Sequence, residues 1–167
     1  INKFYVMDLA PGRSMVEFLV QHGIQVFVVS WRNPDARHRD WGFDSYAQAI
    51  LDALDAVQRV TGAERVVLYG ACSGGIVSSM TAAHLAAIED STRLAGLTLV
   101  VTVLDQSRAG LASAIVDRRT ADAAAAVSAR KGYLDGRTLA EVFAWLRPGD
   151  LVWNYWVNNY LLGKSPP

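Results

Sequence analysis

One short stretch carries the residue types and spacing that chemistry needs. Gly70-Ala71-Cys72-Ser73-Gly74-Gly75 places a thiol between glycines two positions away on either side. An apolar run, Arg65 to Tyr69, precedes it, and a helical pattern from about Gly75 to Ile88 follows. This is the Gly-x-nucleophile-x-Gly turn between a strand and a helix, the nucleophile elbow, with Cys in the place usually taken by Ser. A turn that sharp forces its apex residue into a strained backbone conformation and brings its flanks close together, so Gly70 and Gly74 are expected where a side chain would clash. The N–H of Ser73 then points to where an oxyanion would develop. The start of the following helix adds positive potential that favours a thiolate.

Other readings compete at these residues. A lone cysteine is commonly a small buried core residue, and only the glycines and the strand–helix context favour the nucleophile. Reading Ser73 as nucleophile in Ala71-x-Ser73-x-Gly75 puts Ala at the first tight position. A dinucleotide-binding loop would need Gly where Cys72 stands, and no Gly-Lys-Ser/Thr phosphate loop is present.

A nucleophilic thiol needs a base, usually His oriented by an acid. The chain has three histidines. His84 falls twelve residues beyond Cys72 on the same expected helix, about 18 Å away at 1.5 Å per residue. His22 ends an earlier helix at the opposite edge of the strand layer, and His38 lies in a polar loop; each reads first as a solvated surface histidine. Asp105 is the one acid at a strand's C-terminal end, and a helix or turn cap competes with a catalytic role for it. The chain thus reads as holding a nucleophile without its base.

The elements that must position these residues alternate. A helix from about Ser14 to His22, stopped by Gly23, leads into Ile24–Ser30, a β-branched run expected to be a strand buried on both faces. A polar loop from Trp31 to Gly42 precedes an amphipathic helix from about Asp44 to Val60, with Ile50, Leu51, Leu54 and Val57 on one face and Thr61-Gly62 at its end. The strand before Gly70, the helix after it and a further strand from Leu97 to Val103 complete a parallel α/β pattern. After Asp105 no strand is expected. Ala112–Ala129 and Thr138–Leu146 read as helices, the second stopped by Arg147-Pro148, and Asp150 as the cap of a last helix ending at Gly163. Residues 1–105 are thus expected as core and 106–167 as an aromatic-rich helical cap.

Composition excludes several classes. The 167 residues are 51% hydrophobic, too apolar for a disordered chain. Lys plus Arg and Asp plus Glu number 16 each, so net charge recruits no nucleic acid. One cysteine excludes a disulfide framework and a multi-thiolate metal centre, and no ligand pair stands at metal spacing. No apolar run reaches the roughly 20 residues of a membrane span, and no signal peptide is visible, so a cytoplasmic location is the expectation. A start at Ile1 and an end at Ser165-Pro166-Pro167 suggest an internal fragment.

With these residues in view, the chain resembles the central part of a bacterial polyhydroxyalkanoate synthase. The resemblance rests on Ile1-Asn2-Lys3-Phe4-Tyr5-Val6-Met7-Asp8-Leu9, Val29-Ser30-Trp31-Arg32-Asn33-Pro34, the segment 70–75, Leu104-Asp105, Phe143-Ala144-Trp145-Leu146-Arg147-Pro148, Asp150-Leu151-Val152-Trp153-Asn154-Tyr155 and Asn158-Asn159-Tyr160-Leu161. The segments 70–75 and 154–160 look most like the medium-chain-length, class II branch. The resemblance implies a partial α/β-hydrolase core, a parallel sheet with the elbow, plus a helical cap. It implies that Cys72 carries an acyl group taken from an (R)-3-hydroxyacyl-coenzyme A substrate and passed to a growing polyester, with no bound cofactor and no metal. It implies one oxyanion amide at Ser73 and makes Ile1 a candidate for the second. It places Trp31 and Trp153 in signature stretches, as packing or pocket-lining residues. The activating His and its Asp would lie beyond Pro167. A homodimer at the polymer granule surface is the implied assembly. Two alternatives stand beside it: a thiol-dependent hydrolase of the same fold, and a non-catalytic granule-binding module built on the aromatic-rich cap.

Overall fold

The computed structural model describes residues 4–105, 107, 118–138, 140–141 and 149–165. Two compact units divide the chain: 1–32 with 40–125, and 33–39 with 126–167.

The first unit is built around one β-α-β crossover. Strand β1 (Val66–Ala71) runs parallel to β2 (Leu94–Val100), with Gly70 opposite Leu99 and Ala71 opposite Val100. Between them runs the helix α3 (Ser73–Ala87), and ahead of them α1 (Met15–Gln21) and α2 (Phe43–Thr61). Each helix end follows its sequence. Ser14 caps α1 by accepting from the Glu17 N–H at 2.8 Å. Gly62, left-handed at φ +70°, ends α2 with its N–H on the Gln58 carbonyl at 2.8 Å. The apolar face of α2 supplies Ile50 and Leu54, and α3 supplies Val77 and Leu85; these four form the buried core. Trp31, Tyr46, Leu51, Val66, Leu68 and Leu94 pack around them. Arg93, just before β2, fastens the sheet to α2: its guanidinium donates to Gln58 Oε1 at 2.7 and 3.0 Å and pairs with Asp55.

Three expectations change. Ile24–Ser30 forms no ladder. A strand needs a neighbouring edge, and among the described residues β1 and β2 pair only with each other. Ile24, Phe27, Val28 and Val29 are accordingly exposed. The second strand begins at Leu94 and stops at Val100, three residues earlier at each end than expected, because Val101 turns left-handed at φ +47°. The elbow helix starts at Ser73, two residues earlier than expected.

In the second unit Asp35 caps the short turn Ala36–His38: its carboxylate accepts from the Arg37 N–H at 2.9 Å, and its own N–H donates to His38 Nδ1 at 3.1 Å. The Arg37 side chain and N–H, both bonded to that carboxylate, hold it well below the usual carboxylate range. Helix α4 (Arg118–Lys131), of which the residues from 126 onward belong to this unit, ends at Gly132, at φ +85°. Lys131 and Asp135 pair at 2.6 Å, which raises the ammonium's pKa and lowers the carboxyl's. The last segment is helical, as expected, but wound wider than an α-helix over Gly149–Trp153 and Trp156–Leu161. Asp150 lies within that winding instead of capping it, and Gly163 follows at φ +64°. The expected helical residues 112–117 and 142–146, with the Arg147-Pro148 stop, lie outside the described residues.

Among the described residues, no helix is long and apolar enough to cross a membrane.

Candidate active site

The turn from β1 into α3 has the geometry an exposed nucleophile requires. Its apex is Cys72, at φ 55° and ψ −126°, a region that L-residues rarely adopt. Such a backbone costs about 1–3 kcal/mol and persists only where its surroundings over-determine it. Here they do. The Cys72 N–H donates to the Val100 carbonyl at 3.0 Å, while the Cys72 carbonyl accepts from Gly75 N–H at 3.0 Å and Ile76 N–H at 3.3 Å. The thiol is exposed, not a core filler. Ser73 is already the first residue of α3, so the apex belongs to Cys72. With the first turn of α3 bonded back to the Cys72 carbonyl from Gly75 onward, the N–H of Ser73 has no acceptor among the described residues.

Close packing accounts for two glycines. A Cβ on Gly70 would stand 2.6 Å from the Gly75 Cα, 2.8 Å from Ser78 Oγ and 3.0 Å from the Gly74 carbonyl oxygen. A Cβ on Gly75 would stand 2.8 and 2.9 Å from Cγ2 and Cβ of Thr102, and closer still to its hydroxyl. Reading the motif as Gly-x-Cys-x-Gly missed Gly75. The signal was the second glycine of Gly74-Gly75, which the position of Thr102, two residues past the end of β2, explains.

The remaining candidates separate. Asp105 accepts from the N–H and hydroxyl of Ser107 at 3.0 and 2.5 Å, closing a local turn. Trp31 packs on the core, its ring 5.5 Å from that of Tyr46. Trp153, in the second unit, is 61% exposed. His22 lies over the Phe18 ring and places Nδ1 2.7 Å from the Phe18 carbonyl. His84 is in the last turn of α3. Among the described residues neither of these two hydrogen-bonds the Cys72 thiol. His38 is held by Asp35. Ile1 lies outside the described residues.

The comparisons with known proteins find relatives along the whole chain. Poly(3-hydroxyalkanoate) polymerase 2 and polymerase 1 of Ectopseudomonas oleovorans are 48% and 46% identical over the whole chain. The poly(3-hydroxyalkanoate) polymerase of Methylorubrum extorquens is 42% identical over 99% of it. The resemblance drawn from the motifs is thus found along the full sequence. The chain spans 30% of the length of the first two relatives and 27% of the third. A family model described as the alpha/beta hydrolase fold matches residues 7–167. Nearly end to end, then, the chain belongs to the alpha/beta hydrolase family.

Proposed function

We infer that this chain is the nucleophile-bearing part of a polyester synthase that passes (R)-3-hydroxyacyl groups from coenzyme A through Cys72 to a growing polyhydroxyalkanoate. The exposed thiol at the strained apex of the elbow carries the reading. A thiolate there attacks the thioester carbonyl, forming a C–S bond, and the negative charge develops on the carbonyl oxygen. The free N–H of Ser73 stands beside Cys72 to bind that oxygen, with Ile1 the candidate second donor. Collapse breaks the bond to the coenzyme A sulfur, which leaves and takes up a proton. The hydroxyl of the polymer end then attacks the acyl-Cys72 carbonyl, giving its proton to a base and returning the thiolate.

Base and acid come, on this reading, from outside the chain, as the resemblance implies. Coenzyme A enters as a substrate's leaving group, not as a bound cofactor. The 48% and 46% identities to the Ectopseudomonas oleovorans enzymes, against 39% to the polymerase subunit of Cupriavidus necator, support the medium-chain-length branch. A soluble homodimer working at the granule surface in the cytoplasm is part of the same proposal.

The test is Cys72→Ala in the full-length protein, with coenzyme A release from 3-hydroxyacyl-coenzyme A as readout. A loss of at least about a thousandfold is expected, as for other nucleophiles that act as part of a unit. Undiminished release excludes the reading. Free hydroxy acid in place of polymer as the wild-type product assigns the same acyl-Cys72 chemistry to a hydrolase. Granule binding without any coenzyme A release leaves only the binding module.

A further inference from the structure

The geometry points to Thr102 as a positioning residue for Cys72, one that holds the strained elbow through its hydroxyl; this rests on the reading of Cys72 as nucleophile. The carbonyl of Val100, the last residue of β2, accepts two hydrogen bonds. One comes from the Cys72 N–H at 3.0 Å, the other from the Thr102 hydroxyl at 3.1 Å. A carbonyl oxygen has two lone pairs, and here both are used, one to hold the apex and one to hold the acceptor itself in line.

Val101 makes that arrangement possible. A β-branched residue at positive φ is a genuine outlier, and its φ of +47° ends the strand. Thr102 can then bond back to the carbonyl two residues before it, where a continuing strand would carry it away.

The other side of Thr102 meets the helix. Gly75 lies against its hydroxyl oxygen, Cγ2 and Cβ so closely that no side chain fits between them. Gly75 is also a donor to the Cys72 carbonyl, at 3.0 Å. Cys72 is therefore held at its N–H by Val100 and at its carbonyl by the first turn of α3, and Thr102 contacts both holders. Its methyl group and its hydroxyl oxygen both fill space against Gly75, and the hydroxyl alone donates the hydrogen bond that orients the Val100 carbonyl. Only the hydroxyl acts on the direction in which Cys72 presents its thiol.

The experiment separates these two roles in the full-length protein. Alkylation of Cys72 by iodoacetamide is followed by mass spectrometry of its peptide, across the pH range in which the thiol ionises. Thr102→Val loses the hydroxyl but places a methyl at the Gly75 contact, Thr102→Ser keeps the hydroxyl and loses the methyl, and Thr102→Ala against Thr102→Ser isolates the hydroxyl. Loss of one orienting hydrogen bond predicts alkylation about tenfold slower in Thr102→Val, with a displaced pH profile, and within about twofold of wild type in Thr102→Ser. Wild-type rate and profile in Thr102→Val overturn the proposal, as does equal slowing in both variants, which assigns the effect to packing. Should Thr102→Val not fold, Thr102→Ala set against Thr102→Ser makes the same comparison, since those two differ only in the hydroxyl. Alkylation does not depend on the reaction catalysed, so failure of the synthase reading, seen with Cys72→Ala, stays distinct from failure here.

Discussion

Cys72 spends conformational energy on its position. Any residue with a Cβ is strained at φ 55° and ψ −126°, and glycine alone relaxes there at no steric cost. Cys72→Gly removes about 1–3 kcal/mol of strain and adds about 0.4–1 kcal/mol of unfolded-state freedom. The variant should therefore be more stable, by about 1 kcal/mol, and inactive. Urea unfolding of both proteins measures the difference. A Cys72→Gly protein less stable than the parent means that the conformation carries no strain, and that the elbow is merely a turn which happens to contain a thiol. The sequence announced this residue through its neighbours: glycines survive in such a turn because a Cβ on Gly70 would stand 2.6 Å from the next backbone. It did not announce Thr102. An ordinary threonine after a strand carries no local signal, and its role arises from the meeting of two segments that sequence spacing alone does not bring together.

Protection at the scale of elements follows from which backbone groups are paired. Strands β1 and β2 share a ladder, and α3 packs against both with Val77, Thr81 and Leu85 almost fully buried. Residues 24–30 have the composition of a buried strand and no ladder. In the 167-residue chain, amide exchange should be slowest in β1 and α3 and near the unprotected rate over 25–30. Strong protection at Val26 to Val29 contradicts this and means that the segment has found a partner strand. These elements also show what periodicity can and cannot read. The α2 boundaries lie within one residue of expectation because Gly62 and an amphipathic face are local signals. Strand character at 24–30 was read from composition, but a strand is a relation between segments, and composition does not supply the second member. The early stop of β2 was illegible for a similar reason. Val101 reads as one more β-branched strand residue, and nothing in its local sequence marks its left-handed backbone.

On the proposed function, the chain separates the position of a nucleophile from the chemistry that activates it. The elbow is complete: apex, clearance at Gly70 and Gly75, the Ser73 amide and the anchoring Val100 carbonyl all lie between residues 70 and 102. General-base catalysis is a different matter. A base must come within about 3 Å of the proton it takes, directly or through one water. His22 is turned to the Phe18 carbonyl, His84 stands at the far end of α3, and His38 is bonded to Asp35 within the second unit. Nucleophile and base commonly act as one unit, so that losing either costs nearly as much as losing both. The 167 residues by themselves should therefore release coenzyme A from 3-hydroxyacyl-coenzyme A no faster than their own Cys72→Ala variant, while the thiol still alkylates. On the proposed function, the full-length protein should turn over. Release by the isolated chain approaching the full-length rate defeats this division of labour. It makes one of the three histidines the base, and His38, at the end of the short turn Ala36–His38, is the first to replace.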